Sequence, residues 1–159
     1  MASFGLQTPE DLFREIDSAL TAFKTPKGTN NQTLFFLLAA LNHLREWIAP
    51  GYKPNTDKNG NLRNTPKTAG EKFYVLIYEN PEWRLINELC NGYKHCLPSE
   101  SVQDDNASSL MADMHSLTGV NSLSHGHSQC YEVNGRGVVE VMETVRDFYQ
   151  KEWFEKQNP

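Results

Sequence analysis

Arg84, Glu88, Asn91 and His95 are spaced four, three and four residues apart, intervals that bring side chains onto one face of a helix. A guanidinium, a carboxylate, an amide and an imidazole on one rigid face could perform metal-independent acid–base chemistry on a phosphate ester. Imidazole exchanges protons near neutral pH, arginine stabilises charge developing on phosphate, and an amide or carboxylate orients the imidazole or the attacking group. The same four residues equally suit the solvated face of an amphipathic helix, on which Arg84 and Glu88 form an ordinary i,i+4 pair. Lys94 adds a cation next to His95. A further candidate lies elsewhere: Arg45 follows Leu34, Leu38 and Leu41 by eleven, seven and four residues, which aims it at an apolar helix face. An arginine there requires a carboxylate, a phosphate or a route to solvent, and near a helix end it can snorkel.

Other constellations are weaker. His115, His125, His127 and Cys130 place imidazole and thiol groups in one polar segment, but His-x-His-x-x-Cys follows no strong zinc spacing, and no metal or cofactor is expected. Cys96 next to His95 does not make a nucleophilic pair, because adjacent helical residues diverge by about 100°. Gly-x-Ser-x-Gly elbows, Walker-type phosphate loops and dinucleotide fingerprints are absent from the sequence.

The elements that position these residues read mainly as helices. Thr8-Pro9-Glu10-Asp11 opens a helix over about 9–24, with a side-chain cap, a first-turn proline and two acids at the positive end of the dipole. Leu34, Leu37, Leu38, Leu41, Leu44 and Ile48 share an arc of a second helix over about 32–48, stopped by Pro50-Gly51. Residues 49–70 are crowded with Gly, Pro, Asn and Thr and read as a long, mobile loop. Pro81 divides the next periodic region into a short helix over about 71–79 and a longer one over about 81–97. The segment 99–136 is a polar insertion, within which Asn134-Gly135 is a hairpin-type dipeptide. Helical spacing returns over about 137–156. The expected architecture is a four- to five-helix bundle with a small β-hairpin or irregular insertion before the last helix.

A chain of 159 residues fits one domain, here 1–159. With 38% apolar residues, including eight Phe, six Tyr and three Trp, it can bury a core, which excludes wholesale disorder. No stretch has the length and apolarity of a membrane span, and the first residues lack the charge and apolar run of an export signal. Three cysteines without a CxxC pair favour a reducing compartment, so a cytoplasmic location without membrane partners is expected. The net charge of −5 disfavours a protein that coats nucleic acid non-specifically. The charge is uneven. Lys53, Lys58, Arg63, Lys67 and Lys72 outnumber Asp57 and Glu71 over 51–72, making that segment a candidate phosphate-facing loop or an ordinary solvated one.

Cys90-Asn91-Gly92-Tyr93-Lys94-His95 resembles the signature of HEPN domains, helical bundles named for higher eukaryotic and prokaryotic nucleotide binding. Many members are metal-independent ribonucleases that dimerise so that two motifs form one site. Asn91 and His95 match the family's asparagine and histidine, whereas Cys90 stands where the family has arginine. The resemblance implies that His95 serves as general acid or base for attack of a ribose 2′-hydroxyl, with Asn91 orienting it and an arginine, Arg84 or Arg45, neutralising charge. The chain is also similar to bacterial and phage proteins in which a helix ending His-x-x-(Asp/Glu)-Trp, here His43 to Trp47, precedes one ending Asn-x-x-Lys-His. With the motif arginine missing, the preferred expectation is a non-catalytic HEPN-like binding or regulatory protein of a phage or bacterial defence system. It would bind a protein partner through its acidic surface and long loops, with Arg45, Glu88 and Lys94 as candidate binding residues, RNA or a nucleotide as another candidate ligand and a homodimer as the implied assembly. The alternative is a metal-independent endoribonuclease using His95, Asn91 and Arg84.

Overall fold

The structure, a computed structural model, describes residues 5–59, 61–95, 132–133 and 136–157. It is a helical bundle in the order α1 (Pro9–Phe23), α2 (Asn31–Ile48), α3 (Ala69–Leu76), a 3₁₀ turn (Ile77–Glu79), α4 (Pro81–His95), β1 (Glu132–Val133), β2 (Arg136–Gly137) and α5 (Val138–Tyr149). No described helix is long and apolar enough to cross a membrane.

Helices α1 to α4 begin where side chains satisfy orphan backbone donors. Thr8 caps α1 by accepting from the Asp11 N–H, while the Asp11 carboxylate accepts from the Gln7 and Thr8 N–H groups. Those N–H groups, with the Thr8 side chain and Arg14, hold the Asp11 carboxyl down at about 2. Because the folded value is depressed, this stabilisation is present above the ordinary aspartate range and is lost as pH falls toward 2. The difference in melting temperature between wild type and Asp11→Asn is therefore expected to shrink steadily from pH 6 to pH 2, measured by circular dichroism.

Thr68 and Glu71 repeat this reciprocal cap on α3. The Asn80 side chain accepts the Trp83 N–H at 2.8 Å to begin α4, with Pro81 as its first residue. Between α1 and α2 the chain passes so close to its own backbone that a Cβ on Gly28 would lie 1.9 Å from the Ala22 carbonyl oxygen. Gly51, at φ 76°, takes the left-handed conformation that ends α2.

Helix α2 packs against α1, α3, α4 and α5, so it is buried on more than one side. Leu37, Leu41 and Leu44 are wholly buried, each contributing roughly 1.5–3 kcal/mol through apolar burial. Leu12, Ile16, Leu20 and Phe23 from α1, Trp83, Ile86 and Leu89 from α4, and Val138, Val141, Met142, Val145 and Tyr149 from α5 complete the core. The Tyr149 hydroxyl donates to the Leu41 carbonyl at 2.9 Å. After Tyr149 the helix widens into a π turn, Gln150–Phe154. Its i→i+5 geometry returns Phe154 to the buried side, where its ring lies 4.4 Å from that of Phe13.

Two departures from the sequence expectations are physical in origin. The short third helix tightens into a 3₁₀ turn before Asn80, because Pro81 cannot continue an α-helical ladder. The 49–70 segment is cross-braced. Asp57 accepts from the Asn59 and Asn61 N–H groups at 2.8 and 2.9 Å, Asn64 clamps the Asn55 N–H and the Lys53 carbonyl, and Thr56 bridges Leu62 antiparallel. The hairpin expected at Asn134-Gly135 is flanked by antiparallel pairing of Val133 with Arg136.

Candidate functional site

Trp83, Ile86, Leu89 and Cys90 turn one side of α4 into the core, while Arg84, Glu88 and Asn91 are exposed on the other. Three members of the polar stripe thus share a solvent-facing surface. The backbone of Lys94 and His95 completes the helix; the side chains of these two residues lie outside the described residues. So do His115, His125, His127, Cys130 and Cys96, and no group of metal-ligating side chains occurs among the described residues.

Arg84 and Glu88 line a shallow depression of about 350 Å³ with Pro81, Glu82, Leu85 and Arg136. Arg136 donates to Glu82 at 3.0 Å and to Glu140 at 2.8 Å, tying the hairpin to the starts of α4 and α5. The Arg136 guanidinium in turn lowers the Glu82 carboxyl below its ordinary range. Arg136 is already balanced by two carboxylates, and Glu88 offsets Arg84, so the depression has no cationic excess for a phosphate. No ion pair joins Arg84 to Glu88 among the described residues.

The separation along α4 is equally informative. At 1.5 Å per residue, Asn91 lies about 10 Å and His95 about 16 Å beyond Arg84 along the axis. A general acid and the cation neutralising the same phosphate must both lie within contact distance of it, and this depression sits at the opposite end of the helix from His95.

Arg45 meets a different environment from the three its position was expected to require. Its side chain is 8% exposed, so it does not snorkel, and its guanidinium carbon lies over the rings of Trp83 at 4.2 Å, Tyr74 at 4.9 Å and Tyr78 at 4.9 Å. Glu46 approaches only to 3.9 Å, and the Arg45 Nε and Nη1 atoms have no hydrogen-bond partner among the described residues. Aromatic faces thus take the place of an anion. Such contacts contribute on the order of 2 kcal/mol when desolvated.

The cage spans four elements: α2 supplies the cation, α3 and the 3₁₀ turn supply Tyr74 and Tyr78, and α4 supplies Trp83. Burial pushes the Tyr74 and Tyr149 hydroxyls up, against the pull of the nearby Arg45 charge. The signal that could have located the cage was Tyr74 and Tyr78, one turn apart, followed by Trp83. On the exposed side of α2, His43 Nδ1 lies 3.0 Å from Glu46, and Trp47 is 36% exposed.

Cys90, where the HEPN resemblance leads one to expect arginine, is 4% exposed. It belongs to the packed face of α4, whereas Asn91 after it faces solvent. No known protein family matches the chain, and neither does any curated protein or solved structure.

Proposed function

We propose that the chain is a non-catalytic binding or regulatory protein, a HEPN-like bundle with a degenerate motif, acting in the cytoplasm in a bacterial or phage defence setting. The observation that carries this reading is where the cations lie. Cys90 fills the motif position with a buried thiol, Arg45 is enclosed by Trp83, Tyr74 and Tyr78, and Arg84 stands about 16 Å from His95 along α4. A phosphate held by Asn91 and His95 would have neither of these two arginines to neutralise it.

The endoribonuclease reading, with His95 and Asn91 as its acting pair, retains one supporting observation: the shared exposure of Arg84, Glu88 and Asn91. Incubation of a mixed pool of structured and single-stranded RNA with EDTA separates the two. Wild type and His95→Ala, at matched purity, are expected to leave the pool equally intact. Cleavage by wild type that disappears in His95→Ala would overturn the binding reading.

A further inference from the structure

A second concave surface lies away from the α4 stripe. Pro54, Thr56, Leu62, Val75, Tyr78 and Glu79 border a groove of about 440 Å³ between the cross-braced 49–70 segment and α3 with its 3₁₀ turn. Leu62 and Tyr78 are 38% and 39% exposed, so the groove presents apolar surface to solvent. Its walls are set in advance: the Asp57 turn, the Asn64 clamp and the Thr56–Leu62 bridge hold one side, and the Tyr78 ring is fixed against Trp83 at 4.9 Å on the other. Such preorganisation lowers the ordering cost of binding.

The segment that forms one wall of this groove is opposite in charge to the whole chain. Residues 51–72 hold five cations and two acids in a protein of net charge −5. Lys53 and Arg63 adjoin the lining residues Pro54 and Leu62 in sequence, and Lys72 lies one helical turn before Val75. All three are exposed, and none forms an ion pair among the described residues. The two acids are engaged with the backbone: Asp57 accepts from Asn59 and Asn61, and Glu71 from Lys67 and Thr68. Both carboxyls are lowered by these hydrogen bonds.

We infer that this groove docks an acidic peptide segment of a partner protein, seating one large apolar side chain against Leu62, Val75 and Tyr78 while flanking carboxylates lie over Lys53, Arg63 and Lys72. A peptide suits the lining better than a nucleic acid strand does. Single strands bind on open aromatic faces, but Tyr78 is engaged by Arg45, Trp83 and Tyr74, and Pro54, Leu62 and Val75 are aliphatic. Glu79 repels an anion placed inside the groove, which sends the carboxylates to the cationic flank. This inference rests on the reading of the chain as a binding protein and names the chemistry of its partner.

Selection of a displayed random-peptide library on the intact chain tests it. The expected consensus is a Leu, Ile, Met or Phe flanked by Asp and Glu. A fluorescein-labelled peptide of that consensus should lose roughly tenfold or more in affinity, by anisotropy, for Leu62→Glu and for the combined Lys53→Glu, Arg63→Glu and Lys72→Glu variant. These positions are exposed, and an unchanged far-ultraviolet circular dichroism spectrum confirms folding. No enrichment, a consensus without acids, or binding indifferent to both variants overturns the inference. Binding of labelled oligouridylate that the same charge reversals abolish would overturn it in favour of nucleic acid. The RNA-cleavage assay on His95 reports separately on the broader reading, so the two can fail independently.

Discussion

Trp83→Ala is expected to destabilise the bundle by about 3–5 kcal/mol, the range for removing a large buried aromatic ring, read as a fall in the urea midpoint. The side chain is fully buried and joins α2 to α4 through Arg45 at 4.2 Å and to the 3₁₀ turn through Tyr78 at 4.9 Å. Its loss leaves a cavity and removes the nearest aromatic face from a buried guanidinium. Arg45→Met should behave in the opposite way. Methionine fills much of the same space with no charge to desolvate, and Arg45 leaves Nε and Nη1 without partners among the described residues. Replacement of a buried ion by a well-packed apolar side chain is often neutral or stabilising, so Arg45→Met is expected to lie within about 1 kcal/mol of wild type or above it. In the Arg45→Met background, Trp83→Ala should cost less than in wild type, with a coupling of about 1–2 kcal/mol between these touching residues. Additive effects would show that the cage contributes nothing beyond packing.

The bundle was legible because its signals are local and redundant. Thr8 caps α1 where its sequence context predicts, Pro81 opens α4, and the leucine arc of α2 is the buried face. What was not legible depends on residues distant in sequence. Arg45 could be identified as out of place from its spacing, but its partners Tyr74, Tyr78 and Trp83 lie 29 to 38 residues downstream, and no periodicity links them. Composition likewise hid the order in the 49–70 segment. Asn and Asp favour loops because their side chains bond backbone groups, and Asp57 and Asn64 use that same capacity to brace one. The α4 stripe was legible as a face, since Arg84, Glu88 and Asn91 are all exposed. The balance of charge at its N-terminal end was not, because Arg136 reaches Glu82 from 54 residues away.

Placing at residue 90 the arginine that the HEPN resemblance implies distinguishes a missing catalytic group from a structural position. If the bundle merely lacked a side chain, Cys90→Arg would complete the motif and confer RNA cleavage. Cys90 is 4% exposed on the face of α4 that carries the buried Ile86 and Leu89, so the larger side chain must displace core atoms or carry its charge into them. Overpacking and an unpaired buried charge each cost kilocalories, and Cys90→Arg is expected to lose about 3 kcal/mol or more while gaining no cleavage. Asn91→Arg is the matched control. It places the same guanidinium one residue further on, at an exposed position, and its stability should stay within about 0.5 kcal/mol of wild type. A stable Cys90→Arg protein that cleaves RNA in EDTA would mean that α4 can rotate the position outward, and the chain would then be a ribonuclease one substitution from activity. Loss of stability in Cys90→Arg but not in Asn91→Arg would instead establish that packing governs residue 90. In that case the Asn91 and His95 match lies on a helix whose inward face is committed to the core, which leaves the outer surfaces of the bundle to carry its function.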